Sequence, residues 1–255
     1  MELSLIQYVI LFVLVGFAGF VDSIAGGGGL ITIPTYISLG VPSELILGTN
    51  KCVSTTGGTM AIFRYLKSKS INLHVMVYGV IAGIIGSYTG AYFSKFLDNQ
   101  KMVYLLIILV PVILYLNYKR SKIKPDQVND LTKKQMIARI ALIGLVIGCY
   151  DGFFGPGTGT FLIISISIFL HMEMVKASPN ARIINFSSNI SAFIYFIFKG
   201  AIAWKIASVA IFGSLLGNYL GSGHVIKGNT KVVSIIFNLV LIALLLKSFF
   251  DLYHS

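Results

Sequence analysis

Four ionisable side chains sit where an apolar chain should carry none: Asp22 and Lys51 in the first half, Asp151 and Arg182 in the second. Taking a charge out of water is costly, so an ionisable residue within an apolar span marks a path for ions, protons or charged solutes. Each acid is followed by glycines. Asp22 precedes Gly26, Gly27, Gly28 and Gly29, and Asp151 precedes "GPGTG", with Gly155, Gly157, Thr158 and Gly159. Each cation stands near an Asn: Lys51 follows Asn50, and Arg182 lies two residues past Asn180. Two chemistries fit this set. In one, the cations bind a small anion, with Thr49, Asn50, Ser54, Asn180, Asn185 and Ser187 as hydrogen-bond donors. In the other, each cation pairs with an aspartate and holds the halves together. The two are compatible if a pair opens when substrate or a proton arrives, and Asp22 and Asp151 are the candidates to take up that proton.

The glycines say what kind of backbone carries these groups. Four in a row are poor helix interior, at about 1 kcal/mol each relative to Ala. In lipid the freed backbone groups must be met by protein or water, so the break belongs in a buried or water-lined place. A new apolar segment starts at Leu30, and the N-terminus of a helix offers free N–H donors and partial positive charge, which suit an anion. Soluble phosphate loops do not fit: no G-x-x-x-x-G-K-[ST] occurs, and "GPGTG" lacks the dinucleotide spacing. The other small-residue pairs, Gly79/Gly83, Gly144/Gly148, Gly213/Gly217, "GSYTG" and "GNYLG", read as tight helix packing.

The elements that must position this chemistry are membrane helices. Of 255 residues 56% are hydrophobic and only 11% charged, with mean hydropathy +0.84, whereas a soluble domain carries about 25% charged residues. Continuous apolar runs such as "VYLLIILVPVILYLNY" are long enough to span a bilayer and lack the alternation of barrel strands. The first residues hold no Lys or Arg and no cleavage signal, so the first run is expected to remain as a span. The net charge of +11 is concentrated in places such as residues 117–139, where Lys119, Arg120, Lys122, Lys124, Lys133, Lys134 and Arg139 face only Asp126 and Asp130. A short basic loop beside spans reads as cytoplasmic by the positive-inside rule rather than as a nucleic-acid arm. Cys52 and Cys149 have no ligand spacing, and His74, His171, His224 and His254 sit at segment ends. No metal site, cofactor or catalytic dyad is expected, and the chain is not expected to be an enzyme.

The chain reads as a duplication. Shifted by 129 residues, Asp22 falls on Asp151, Gly26 on Gly155 and Gly28 on Gly157; shifted by 130, Asn50 falls on Asn180, Tyr65 on Tyr195 and Lys69 on Lys199; shifted by 131, "GSYTG" falls on "GNYLG". The expected units are residues 1–118, a basic cytoplasmic linker at 119–136, and residues 137–255. Apolar segments are expected at 4–24, 28–40, 45–65, 72–96 and 102–118, then at 137–153, 157–170, 176–198, 203–222 and 231–250. The second of each set, about 13 residues or ~20 Å, is too short for a ~30 Å hydrocarbon core and reads as a half-helix or re-entrant piece. An odd number of crossings per half inverts the second relative to the first, the plan of many secondary transporters, whereas four per half would make the repeat parallel; the basic residues Arg64, Lys67 and Lys69 on the side of the linker favour the odd count.

At "GFVDSIAGGGGLITIP", "LGTNK", "YDGFFGPGTGTFL" and "PNARIINFSSN" the chain resembles the TauE/SafE family of sulfite-exporter-like membrane transporters, over nearly its whole length and in both halves. The resemblance implies an inner-membrane permease for small sulfur-containing or organic anions such as sulfite or sulfonates, with family motifs at Gly26–Gly29, Thr49–Lys51, Gly155–Gly159 and Asn180–Arg182. Pro179 departs from the small residue of the family pattern. The expectation is an all-α polytopic integral membrane protein of about 8–10 helical segments in two inverted repeats, broken at the glycine motifs. It moves a small anion by alternating access, coupled to protons; the alternative is an anion channel or passive pore. Its expected partners are that anion and the lipid bilayer, with a homodimer left open and no nucleic acid.

Overall fold

The first helix starts with a capping box. The Ser4 hydroxyl accepts from the Gln7 N–H while the Gln7 side chain accepts from the Ser4 N–H, which satisfies two donors that a helix start leaves open. Thr132 and Gln135 repeat the device at the start of the sixth helix. The computed structural model describes residues 3–120 and 131–227. Among these residues run nine α-helices: α1 Leu5–Ala25, α2 Gly29–Ser38, α3 Ser43–Lys67, α4 Leu73–Phe93, α5 Asn99–Arg120, α6 Lys133–Phe153, α7 Thr158–Phe169, α8 Met174–Phe198 and α9 Trp204–Ile226. They follow the apolar segments of the sequence to within a few residues at most ends. The expected tenth segment, 231–250, and most of the basic linker lie outside the described residues.

Six of the helices, α1, α4, α5, α6, α8 and α9, are long and apolar enough to cross a membrane. Large apolar side chains point outward from them, among them Leu5, Ile81, Ile108, Leu142, Phe198 and Phe212. The polar side chains Thr49, Asn50, Lys51, Arg182, Asn185 and Asn218 point inward and are buried. This is the reverse of a water-soluble domain, whose charged groups stay outside, and it makes the chain an all-α, multi-pass membrane protein. The α3 helix has the 25-residue length of α8, but its face of Thr, Asn, Lys and Ser lowers its hydropathy, and its neighbours cover it.

Two seams tie the bundle. Along one, α4 lies on α6; along the other, α1 lies on α9. Both are built on glycine. A methyl group on Gly148 would sit 2.7 Å from the Gly83 carbonyl oxygen, and one on Gly213 would sit 2.5 Å from that of Phe12. With no side chain in the way, the backbones touch, and in lipid such dispersion contact is a main source of helix association. Along both seams the helices run parallel: Gly79, Gly83 and Gly86 meet Gly144, Gly148 and Cys149 in turn, and Phe12, Gly16 and Phe20 meet Gly213, Gly217 and Gly221. Between the seams α3 packs on α8, and these two run antiparallel, Gly48 lying by Phe196 and Gly58 by Phe186.

Candidate functional site

At the end of α1 the backbone leaves the helix at Gly26 and Gly27, with φ of 67° and 140°. At the end of α6 it does so at Gly155 and Gly157, with φ of 98° and 84°. Only glycine holds such angles without steric cost, which is why the breaks fall there. The short helices that restart, α2 with 10 residues and α7 with 12, reach about 15–18 Å. Their starts meet. The Gly26 backbone lies against that of Gly159, a methyl on Gly29 would be 3.2 Å from Pro156 Cα, and Thr160 Oγ1 donates to the Gly26 carbonyl at 2.6 Å.

The four ionisable side chains converge on this junction in crossed pairs. Lys51 Nζ lies 2.7 Å from Asp151 Oδ1, each side chain 2% exposed. Arg182 Nη1 pairs with Asp22 Oδ2, at 4% and 14% exposure. Isolated charges so far from water are very costly, and pairing with full hydrogen bonding is what makes burial tolerable. Asp22 Oδ1 also accepts from the Gly27 and Gly28 N–H groups, at 3.1 and 3.2 Å, so it meets the open donors at the α1–α2 break. Arg182 Nη2 donates to Asn218 Oδ1 at 2.9 Å, and Lys51 Nζ to Asn189 Oδ1 at 3.0 Å. Ser188 Oγ donates to Asp151 Oδ2 at 2.5 Å.

A small polar cavity lies at the centre, lined by Asp22, Gly27, Gly29, Asn50, Lys51, Ser54, Asp151, Gly155, Gly157, Thr158, Gly159 and Asn185, together with Asn189. A second small cavity adjoins it, sharing Asp22, Gly159 and Asn185, and brings in Gly26 and Arg182. Gly28 lies behind, its N–H on Asp22. Three sequence-named residues are elsewhere. Ser187 Oγ donates to its own helix at Ile184. The Thr49 hydroxyl accepts from the Ala203 N–H at 2.9 Å, and Asn180 Oδ1 from the Asn72 N–H at 2.8 Å. Ala203 and Asn72 are the residues before α9 and α4, so Thr49 and Asn180 serve the starts of those helices. Thr49 and Asn180 lie 131 residues apart, as do the ends of α3 and α8. Lys51 and Arg182 have the same spacing, whereas Asn50 and Asn180 are 130 apart.

Four polar residues near the charges stand in the quoted motifs but are not among the site residues named from sequence: Asn189, Ser188, Asn218 and Thr32, whose hydroxyl donates to Asn50 Oδ1 at 2.5 Å. A signal for one of them exists. Arg182, Asn185 and Asn189 follow at i, i+3 and i+7, one face of a helix. Among the described residues no cluster of metal-ligating side chains occurs, and both cysteines are free.

The family described as "Sulfite exporter TauE/SafE" matches residues 11–248. The chain belongs to this family. It is 33% identical over 96% of its length to the "Probable membrane transporter protein ORF9" of Sinorhizobium, covering 93% of that protein. To a "Probable membrane transporter protein" of Haemophilus influenzae it is 34% identical, with 91% of each chain covered. To YfcA of Escherichia coli K12, with the same description, it is 31% identical over 88% of this chain and 82% of that one. The family is one of membrane transporters and not an enzyme family.

Proposed function

We propose that this TauE/SafE chain is a secondary transporter. It carries a small anion, sulfur-containing such as sulfite or an organosulfonate, across the cytoplasmic membrane by alternating access coupled to protons. The observation that carries the reading is the crossing of both ion pairs, Lys51 to Asp151 and Arg182 to Asp22, at the junction of two broken helices. Each pair joins residues 1–118 to residues 137–255, the two proposed repeats. The antiparallel course of α3 and α8, which are equivalent helices, supports an inverted relation between them, with the site on the pseudo-two-fold axis. The five helices of the first unit fit the odd count that inversion needs, and the basic linker at 119–136 is then cytoplasmic.

In the closed arrangement the cavity admits little more than a water molecule, because the carboxylates occupy the place of an anion beside Lys51 and Arg182. Rocking one repeat against the other opens a pair on one side. The freed cation, the N–H groups of the glycine breaks and the amide of Asn185 then bind the anion in place of the carboxylate. Charge compensation demands the exchange: a buried cation without a partner costs several kcal/mol, so either the carboxylate or the anion holds it.

Flux of radiolabelled sulfite, sulfate and methanesulfonate into proteoliposomes bearing the full chain tests this. Saturable uptake that rises with unlabelled anion on the far side and runs uphill on a proton gradient is expected. Flux linear in concentration, with no stimulation from the far side, would make the protein a pore. No uptake of any small anion would end the reading.

A further inference from the structure

The two ion pairs differ in what their partners can do with a proton. Asp22 receives hydrogen bonds from the Gly27 N–H, the Gly28 N–H and the Arg182 guanidinium. All three are donors only; a guanidinium does not lose its proton in proteins. Protonating Asp22 would set an O–H against donors. Asp151 receives one bond from Lys51 and one from the Ser188 hydroxyl. A hydroxyl can accept as well as donate, and Ser188 has a second outlet, the Asn185 carbonyl at 2.9 Å. We infer that Asp151 is the residue that carries the coupling proton, with Ser188 as the two-way hydroxyl that receives it, while Asp22 stays ionised and locks Arg182. The assignment rests on the proton-coupled reading above.

The step balances. A proton from the aqueous side adds to Asp151 Oδ2, the new O–H donates to Ser188 Oγ, and the Ser188 hydrogen turns to the Asn185 carbonyl. No bond is lost at Asp151. Lys51 keeps Asn189 Oδ1 at 3.0 Å but loses its counter-charge. The cluster of Asp22, Lys51, Asp151 and Arg182 passes from neutral to one net positive charge, so one proton admits one negative charge of substrate. Among the described residues, the groups around Asp151 include no competing proton acceptor of a different kind. Lys51 faces it from α3, Asp22 lies across the cavity on α1, and Tyr150 is its neighbour on α6. The α7 helix has no ionisable side chain. From α4 comes Ser87, whose hydroxyl donates to the Ser188 carbonyl at 2.6 Å, while His74, Tyr78, Tyr88 and Tyr92 of that helix are exposed. Arg182 is the cation of α8 at this depth and is held by Asp22 and Asn218.

Infrared difference spectra of the full chain in lipid, recorded on acidification without any ligand, decide the assignment. A band of a buried protonated carboxyl is expected, lost in Asp151→Asn and retained in Asp22→Asn. Loss in Asp22→Asn with retention in Asp151→Asn overturns it. If Asp151→Asn does not fold, Ser188→Ala replaces it: the band should move to higher frequency, return in Ser188→Thr, and stay in place in Asn218→Leu. A band indifferent to Ser188→Ala overturns the proposal. Flux separates this from the broader reading. Asp151→Asn should lose proton-driven accumulation of methanesulfonate at least tenfold. Proton-driven accumulation surviving in Asp151→Asn overturns the assignment alone, whereas a wild-type protein that moves no anion defeats the transporter reading and leaves the infrared result to judge Asp151.

Discussion

Glycine does opposite work in the seams and at the centre. Along α4–α6 and α1–α9 it is the absence of a side chain: Gly83 and Gly148, or Gly16 and Gly217, let backbones touch within regular helices. At the centre it is conformational freedom: Gly26, Gly27, Gly155 and Gly157 have positive φ and end helices. The seams join residues 3–120 to residues 131–227 by close backbone contact, and the centre is polar and holds the charges. On the proposed function, stability draws mainly on the seams and transport on the centre, and substitutions in each region should separate the two. The largest effect is expected at the centre from Lys51→Met, which strands the buried Asp151 carboxylate. Removing one partner of a buried pair costs about 3–5 kcal/mol, whereas replacing both with apolar groups is near neutral or stabilising. Lys51→Met should lower thermal stability sharply, and Lys51→Met with Asp151→Leu should recover most of it, with anion flux absent from both. A double variant that stays as unstable as the single one would show that the pair holds the fold together.

The seams should answer in the opposite way. Gly148→Val places carbon against the Gly83 backbone, 2.7 Å from its oxygen and 2.8 Å from its Cα. Overpacking of this kind costs about 1–3 kcal/mol. A lower melting temperature is expected, with the relative affinities for sulfite and methanesulfonate kept in the protein that remains folded. A change of anion preference would mean that the α4–α6 seam reaches into the site.

Much of this was legible from residue type. Apolar length placed nine helices, glycine runs placed both breaks, and Asp22, Lys51, Asp151 and Arg182 stood out because charge in an apolar span is rare. Which acid meets which cation was not legible, since the crossing of the pairs depends on how α1 and α3 pack against α6 and α8. The roles of Ser188 and Asn218, though both stand in quoted motifs, were not legible either, because a polar residue in a helix reads the same whether it faces a charge or a carbonyl of its own turn. Identity of type aligns Asn50 with Asn180 at a spacing of 130, whereas shared hydrogen-bonding position aligns Thr49 with Asn180 at 131. The structural register gives a test. Thr49→Val and Asn180→Leu each remove the acceptor of a helix-start N–H in the other repeat, a loss of about 1 kcal/mol. The two should destabilise alike in thermal unfolding and leave the anion KM unchanged. Asn50→Leu, at a position that lines the central cavity, should instead alter KM.

The smallest effects are expected where the chain turns at the ends of α2, α3, α7 and α8. Four residues there have φ between 53° and 72°: Gly40, Lys69, His171 and Gly200. They form two equivalent pairs at a spacing of 131, Gly40 with His171 and Lys69 with Gly200, and each pair holds one glycine. A side chain at such an angle costs about 1–2 kcal/mol, less where a local hydrogen bond helps. No atom comes within 4 Å of a methyl group built on Gly40 or Gly200, so packing plays no part. Gly200→Ala should therefore lose about 1 kcal/mol, and Lys69→Gly, at an exposed position, should gain a similar amount or slightly less because glycine also loosens the unfolded chain. Opposite signs of melting shift at these two equivalent positions, with flux untouched, would isolate backbone freedom from close approach. Equal signs would mean that a contact at one of them, and not the angle, sets its residue.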